Sequence, residues 1–309
     1  MSLTSSSIIN GAWTLWTFTG IRNVALSPAQ GFDLGESLSL LPPSPLILSR
    51  WSSMDLNTRQ QREMETVSCY LVDRRTMNSP REAAVELKAL DHLFNGLMAI
   101  QIVKPSATLG YVLQMVQCDT ASNPHFGPSE MRSRMDPGQW PSLRALDAPL
   151  LEQLPPMIDK VETTMSGRDA TKKNSINLFQ LALEHHHPAI QCLLAVSSIE
   201  AILDSSTALD FEKKLCDTLG NATPVFPDWN SPDFAQPRYT VRDLAFPLHK
   251  LRSKIVHGDD LRTAKDKGGN KINFGELRSF IEEAQEQTYM QLLCESSIYL
   301  TSQLLQKCI

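Results

Sequence analysis

The chain has 309 residues, of which 42% are hydrophobic and 20% are charged, a composition that suits a packed globular core and leaves room for two domains. Its net charge of −5 at pH 7 excludes a protein that coats DNA or RNA through a broad basic surface. It leaves open an enzyme that touches nucleic acid at one small basic site.

The six cysteines form no Cys-x-x-Cys pair, so we expect neither a zinc site nor a disulfide framework. No glycine-rich phosphate loop and no metal-binding array is present in the sequence, and we predict that the protein uses no metal and no cofactor. The N-terminus lacks the basic segment of a signal peptide, and no stretch approaches the ~18 uninterrupted apolar residues of a membrane span. We therefore expect a cytoplasmic protein with no membrane contact.

Strand patterns dominate the first part of the chain. Trp13 to Thr19 alternates bulky apolar residues with threonine, which is the period of a half-buried strand. Further strands are expected around Leu38 and at 47–48, 67–72 and 111–116. The segment Ser79-Pro80-Arg81-Glu82 is typical of a helix start and precedes an apolar stripe from Ala83 to Met98. Residues 1–120 are therefore predicted to form a strand-bearing module.

Residues 121–141 are rich in proline and glycine and carry few periodic apolar residues. This composition favours a connection between domains or a long surface loop.

From residue 142 onward the apolar spacing is that of helices. We expect helices at 143–165 with a bend at Pro155-Pro156, at 176–184, from Pro188 through 201, at 210–219, at 240–257 and from Asn273 to the C-terminus. The expected fold class is α+β, with the β-containing module followed by an all-helical domain over 142–309.

The predicted helix at 240–257 has the clearest start and end. Thr240 can cap it with Asp243 three residues on, and Gly258 follows as the stop. Pro247 is expected to kink it.

The end of this helix, LRSKIVHG, contains Arg252 and His257 separated by four residues. A histidine can take a proton from the 2′-hydroxyl of RNA or give one to the leaving oxygen, because its pKa ordinarily lies near neutrality. The planar guanidinium of an arginine grips phosphate oxygens and stabilises charge that develops on phosphorus. The pair thus fits RNA cleavage without metal, with the RNA's own 2′-oxygen as nucleophile.

Other interpretations of the same residues stay open. The two residues also fit a solvated helix end, and Arg242 with His249 forms a looser pair of the same kind. On an ideal helix the side chains of Arg252 and His257 point ~140° apart, so they meet only if the last turn unwinds or a second subunit supplies one of them.

Neighbouring residues have supporting roles in this hypothesis. Glu200 lies in the apolar segment CLLAVSSIEAIL and needs a cation, for which Arg252 is the first candidate, unless it lies at the polar edge of its helix. His249 lies three residues before Arg252 and can face the same cleft. Lys254 is a further supporting residue beside the pair. The basic residues that can hold the RNA backbone are Lys250, Arg262, Lys265 and Lys267, of which the last three fit a solvated basic loop with no role equally well. The run His185-His186-His187 fits a polar helix junction before Pro188 better than a metal site.

LRSKIVHG on a late helix, preceded by CLLAVSSIEAIL, resembles the signature of the HEPN superfamily, especially its ApeA-like branch in anti-phage defence. The resemblance covers roughly residues 143–309. It implies a helical bundle that dimerises and places two Arg/His sets in a shared cleft, with Arg252 on the scissile phosphate and His257 in proton transfer. Family members often have asparagine after the arginine, where this chain has Ser253, a residue that can still donate and accept hydrogen bonds.

The resemblance favours a metal-independent endoribonuclease of toxin or anti-phage defence type, with RNA as substrate and a homodimer as the active form. In that hypothesis the module of residues 1–120 senses a trigger, binds a protein partner or restrains the nuclease. A non-catalytic dimerisation and scaffold module and a nucleotide-binding regulator are the alternatives, because fold alone does not establish catalysis.

Overall fold

The computed structural model describes residues 12–22, 24–26, 31–35, 37–43, 67–79, 81–105, 108–120, 123–126, 130–134, 144–146, 148–185, 187–225, 239–257 and 286–309. The helices in these ranges are α1 (Ala83–Val103), α2 (Ala148–Ser166), α3 (Ala170–Glu184), α4 (Pro188–Leu203), α5 (Ala208–Leu219), α6 (Val241–His257) and α7 (Glu286–Cys308). The strands are β1 (Ala12–Arg22), β2 (Val24–Leu26), β3 (Phe32–Asp33), β4 (Leu38–Leu41), β5 (Cys69–Met77), β6 (Thr108–Thr120), β7 (Asn123–Phe126), β8 (Glu130–Arg134), β9 (Arg144–Leu146), β10 (Pro224–Val225) and β11 (Tyr239–Thr240).

The expected α+β class, with strands first and helices after them, is confirmed. The helical part also contains the short β10–β11 pair, which the apolar spacing did not predict. The strand expected at 47–48 and the start of the last helix at Asn273 lie outside the described residues.

The N-terminal sheet is antiparallel and runs in the order β3-β4-β5-β1-β6-β7, with β8 also paired to β6. The alternation seen at Trp13 to Thr19 places Leu15 in a buried cluster with Met77 of β5 and Ala89 of α1. Helix α1 covers this face closely, since a Cβ atom added to Gly96 would lie 2.7 Å from a methyl group of Leu38. The apolar residues of β1 and β5 and the apolar stripe of α1 thus pack into one core.

Two strands lie in the segment 121–141 that was expected to be a connection. Both β7 and β8 pair with β6. Proline lacks the N–H that a central strand needs, but Pro124 lies in β7 at the end of the sheet order, where an edge strand tolerates it. The proline content of this segment therefore led us to expect a loop where β7 forms.

The helix starts differ in detail from their predictions. Glu82 accepts the backbone N–H groups of Asn78 and Ser79 at 2.6 and 3.0 Å, but the Ser79 hydroxyl donates to the Arg81 carbonyl, and α1 begins at Ala83. Helix α2 begins five residues later than expected because 144–146 forms β9, which pairs in parallel with β2.

Helix α4 is the central helix of the helical part and contacts α3, α6 and α7. Small hydroxyl residues allow its close approach to α3, where Ser175 and Ser198 each donate to the other's carbonyl at 2.8 and 2.7 Å. Thr301 of α7 donates to the carbonyl of Ala195 at 3.1 Å. Because α3, α6 and α7 cover it, α4 is apolar on most sides. Its few polar residues are held in place by the helices around them.

The contacts divide the chain into two compact units. The first holds residues 1–97, 108–136 and 143–155, and the second holds 98–107, 137–142 and 156–309. Within the described part of the chain no single helix is long and apolar enough to cross a membrane; α4 and α5 meet that test only as a pair, bent by 75° at the break between them.

Candidate functional site

A carboxylate of α4 lies between a histidine and an arginine of α6. Glu200 lies one turn before the end of α4, and His249 and Arg252 lie three residues apart on α6, which places them on the same face of that helix. The Nε2 atom of His249 lies 3.1 Å from Oε1 of Glu200, and the Nε atom of Arg252 lies 3.1 Å from Oε2. The pairing of Glu200 with Arg252 that the sequence favoured is therefore present.

The three side chains differ in exposure. Those of His249 and Glu200 are 12% and 13% exposed, whereas that of Arg252 is 34% exposed. The histidine and the carboxylate thus form the inner part of the cluster, and the guanidinium extends from it toward the surface. A phosphate group can reach only the outer member.

The contacts leave hydrogen-bonding capacity unused. Among the described residues, the buried Nδ1 of His249 has no hydrogen-bond partner, and the N–H on Nε of Arg252 is not aligned with an acceptor in spite of its short distance to Glu200. The ring of His249 is held instead by Phe211 of α5, with centroids 5.3 Å apart and planes tilted by 52°. The Glu200–Arg252 contact is therefore a charge pair that positions the guanidinium and leaves its other donors able to bind an anion.

His257 lies at the last position of α6 and is exposed. The helix stays regular through this residue, so the last turn does not unwind. The ~140° between the directions of Arg252 and His257 on a regular helix therefore applies, and one chain alone does not bring the two groups to the same point. Ser253, between them, is half-buried.

The basic residues that were expected near the site are only partly described. The ammonium group of Lys250 lies 5.4 Å from the centre of the Phe246 ring, one turn earlier on α6. The side chain of Lys254 and the residues Arg262, Lys265 and Lys267 lie outside what the structure describes. The supporting role of Lys254 and the contact of the other three with RNA therefore stay predictions.

A second polar cluster, in the first unit, was not found by sequence reasoning. Asp73 of β5 is fully buried and accepts hydrogen bonds from Nε and Nη2 of Arg75 at 2.7 and 2.9 Å and from Ser37 at 3.0 Å. Nδ1 of His92, on α1, also contacts this carboxylate. The one available signal was the placement of Asp73 directly after the apolar run CYLV, where a strand is expected to be buried.

The histidine run lies at the junction of α3 and α4, as expected. His185 follows the last residue of α3, and His187 precedes Pro188, the first residue of α4. In the part of the chain that the structure describes, no group of three or more His, Cys, Asp or Glu side chains is arranged to hold a metal ion.

When the chain is compared with protein-family models, with curated proteins and with solved structures, none of the three comparisons gives a match. The residues of this chain and the resemblance of its two helix segments are therefore the basis for inferring its function.

Proposed function

We propose that the protein is a metal-independent endoribonuclease of toxin or anti-phage defence type, with a HEPN-like helical domain that acts as a homodimer in the cytoplasm. The observation that carries the proposal is the position of Arg252, held by Glu200 on one side and one-third exposed on the other. A phosphate that approaches the exposed side meets a guanidinium whose direction is already set. Positioning before binding lowers the entropy lost when the substrate binds.

In the proposed reaction the 2′-oxygen of a ribose attacks the adjacent phosphorus, and the bond from phosphorus to the 5′-oxygen of the next nucleotide breaks. His257 takes the proton of the attacking hydroxyl or gives one to the leaving 5′-oxygen. Arg252 stabilises the negative charge that develops on the phosphoryl oxygens. The products are a 2′,3′-cyclic phosphate and a free 5′-hydroxyl, so no protein nucleophile is required.

The directions of the two side chains favour a site that is shared between protomers. Because α6 is regular to its end, Arg252 and His257 of one chain point ~140° apart, and a phosphodiester of ordinary size contacts both only if a second copy supplies one of them. The exposed side chain of Val256, beside His257, is apolar surface that such a partner can cover.

The direct test is incubation of the purified protein with labelled RNA in the presence of EDTA. We expect cleavage by the wild-type protein and cleavage at least ~100-fold slower by His257→Ala, the scale of loss for a general acid or base. His187→Ala is the matched control, because His187 is also an exposed histidine beside a helix end and its side chain does not cap α4. Equal rates for wild type and His257→Ala would reject the assignment.

A second candidate is a non-catalytic dimerisation and scaffold module on the same fold. It is favoured by the same ion pair, because a guanidinium already paired with a mostly buried carboxylate also fits a purely structural contact. This candidate predicts a dimer that cleaves no RNA and keeps its dimer affinity in His257→Ala.

A further inference from the structure

The sheet of the first unit has a second face, opposite the one that α1 covers. Leu15 and Met77 pack against Ala89 of α1, and Asp73 contacts His92 of the same helix. Successive side chains of a strand alternate between the two faces of a sheet. The residues that alternate with Leu15 in β1 and with Asp73 and Met77 in β5 therefore lie on the second face.

One end of this second face is buried and the other end is open. At the buried end Phe18 and Tyr70 are fully buried, and their rings meet edge to face with centres 6.3 Å apart. At the open end the side chains are half-buried or exposed, and all but one are polar. These four side chains, the Trp16 patch, are Trp16, Arg74, Thr76 and Gln117.

Two contacts hold the indole ring of Trp16. Its Nε1–H donates to Oε1 of Gln117 at 3.0 Å, so the one polar atom of the indole already has an acceptor within the sheet. Arg74 lies directly opposite Trp16 in the β1–β5 register, and its guanidinium carbon lies 5.1 Å from the centre of the ring. The indole therefore contributes a flat surface to a ligand and not a hydrogen bond.

The guanidinium of Arg74 keeps its positive charge. An aromatic ring positions a guanidinium without neutralising it, which a carboxylate would do. Among the described residues no carboxylate forms an ion pair with Arg74, and the Trp16 patch itself contains no acidic side chain. The patch thus combines a planar cation on an aromatic ring with the hydroxyl of Thr76 and the amide of Gln117.

We propose that the Trp16 patch binds a single-stranded nucleic acid. Guanidinium planes and indole rings both stack on unpaired bases, and guanidinium N–H groups also bind phosphate oxygens. The charge of Arg74 complements the negative backbone of such a strand. An acidic protein segment matches the charge but offers no flat group to the ring, so it fits the patch less well.

This site is separate from the proposed nuclease site. The Trp16 patch lies in the first unit, whereas Glu200 and Arg252 lie in the second. The patch can therefore bind a strand whether or not the protein cleaves RNA. Probes without a 2′-hydroxyl cannot undergo the proposed cleavage, so their binding tests the patch alone.

The test is fluorescence anisotropy of the full chain at low ionic strength with three labelled probes. The first is a strand of about 12 thymidylates, which is within the usual site size of proteins that bind single strands. The second is an abasic deoxyribose-phosphate strand of the same length, which keeps the charge and lacks the bases. The third is a polyglutamate peptide of the same length, which represents an acidic protein partner.

Three variants accompany the wild-type protein. Arg74→Thr removes the guanidinium from an exposed strand position and keeps a residue that favours strands. Arg74→Lys keeps the charge and loses the flat guanidinium, and it is the variant least able to disturb folding. The matched control is Arg81→Thr, which removes the same charge from an exposed arginine of the same unit outside the patch.

We expect the wild-type protein to bind the thymidylate strand and to bind the other two probes at least ~5-fold more weakly, because they offer no bases for stacking. Arg74→Thr should bind the thymidylate strand at least ~5-fold more weakly than wild type, Arg74→Lys should lie between the two, and Arg81→Thr should stay within ~2-fold of wild type.

Three results overturn the proposal. The first is absence of binding to the thymidylate strand. The second is equal binding of the abasic strand or of polyglutamate, which would make the patch a general anion surface or a protein contact. The third is binding by Arg74→Thr or Arg74→Lys that equals that of wild type, because stacking on the guanidinium would then contribute nothing.

Discussion

At the scale of single residues, one carboxylate organises each of the two polar clusters. Glu200 has each carboxylate oxygen 3.1 Å from a cationic or ionisable side chain of α6, and Asp73 accepts a bidentate contact from Arg75. A buried carboxylate without partners is strongly unfavourable, so each acid fixes the positions of the groups around it. The geometry of both clusters is therefore most sensitive to these two positions.

Glu200→Gln removes the negative charge and leaves the cation of Arg252 and the mostly buried ring of His249 without it. We expect the free energy of unfolding to fall by about 1–3 kcal/mol, less than for a fully buried pair because Arg252 is partly exposed to water. Urea denaturation measures the change. Glu152→Gln, the same substitution at an exposed position of α2, is the control and should leave the midpoint nearly unchanged.

Asp73→Asn acts on a fully buried group and should cost more. The amide cannot satisfy the Arg75 guanidinium, Ser37 and His92 at once, so we expect a loss of about 3–5 kcal/mol in the free energy of unfolding. The control is Asp91→Asn on the exposed side of α1. A loss no larger for Asp73→Asn than for Asp91→Asn would contradict the role given to the buried carboxylate.

The sequence allowed one of these clusters to be anticipated and not the other. Glu200 is an acidic residue in an otherwise apolar helix, so it needs a cation. Arg252 was the first candidate because it also belongs to the proposed Arg/His pair. Arg75 is a local partner of Asp73, but the other two partners, Ser37 and His92, are 36 and 19 residues away, and only the pairing of β4 with β5 and the packing of α1 bring them together. Long-range contacts of this kind leave no local spacing to read.

At the scale of elements, α6 is the helix whose limits were predicted best. Thr240 and Asp243 form the expected capping contacts, with Asp243 accepting the N–H of Thr240 at 2.8 Å, and the helix ends at His257 as predicted. Pro247 lies inside the helix and does not end it. A cap joins residues three positions apart, so the local sequence can reveal it, as it does at Thr240, although the hydroxyl of Ser79 does not cap α1.

Removal of the cap should shorten α6 from its start. Thr240→Ala loses the hydroxyl that accepts from the N–H of Asp243, and we expect about 1 kcal/mol less stability together with faster amide hydrogen exchange in the first turn. Thr207→Ala, at the equivalent cap of α5, should shift exchange in α5 and leave α6 unchanged. Equal exchange in the first turn of α6 with and without the hydroxyl would show that the cap contributes nothing.

Short strands were the elements that sequence reasoning missed. Strands β7, β8 and β9 are short, and the chain that contains the first two is rich in proline and glycine. What makes them strands is a partner, β6 or β2, that already presents its free edge. They form because a partner strand is present, and not because of their own strand propensity.

At the scale of the whole molecule, thiols buried in both units link stability to pH. Burial raises the pKa of Cys69, in the first unit, and of Cys192, in the second, from 9.0 to about 12. Above pH 9 the unfolded chain therefore loses thiol protons that the folded chain retains. Because the folded pKa is the higher one, this contribution to stability is complete below pH 9 and is lost as the pH rises toward 12.

We expect the urea midpoint to fall between pH 8 and pH 10.5. Above pH 9 the free energy of unfolding should decrease by up to about 1.4 kcal/mol for each thiol and each pH unit. Cys192→Ala should show a shallower fall, since it no longer has the buried thiol. Burial also raises the pKa of the half-buried Cys308 thiol, but less than that of Cys192, so Cys308→Ala is the comparison and its slope should lie between those of Cys192→Ala and wild type. A slope for Cys192→Ala equal to that of wild type would contradict the linkage.

The proposed active site is also a property of the whole molecule, because it is formed by two copies of the chain. If the proposed site joins Arg252 of one protomer to His257 of the other, a dimer of one Arg252→Ala chain and one His257→Ala chain contains one damaged site and one intact site. The two variants would then be complementary, although each is inactive alone.

The measurement is RNA cleavage in EDTA by the two variants, each alone and after they are mixed, unfolded together and refolded so that protomers exchange. Random pairing makes half of the dimers mixed, each with one of two sites intact, so we predict recovery of about a quarter of the wild-type rate in the mixture. Wild-type cleavage with no recovery in the mixture, after exchange is verified by differently tagged chains, would contradict a site shared between protomers.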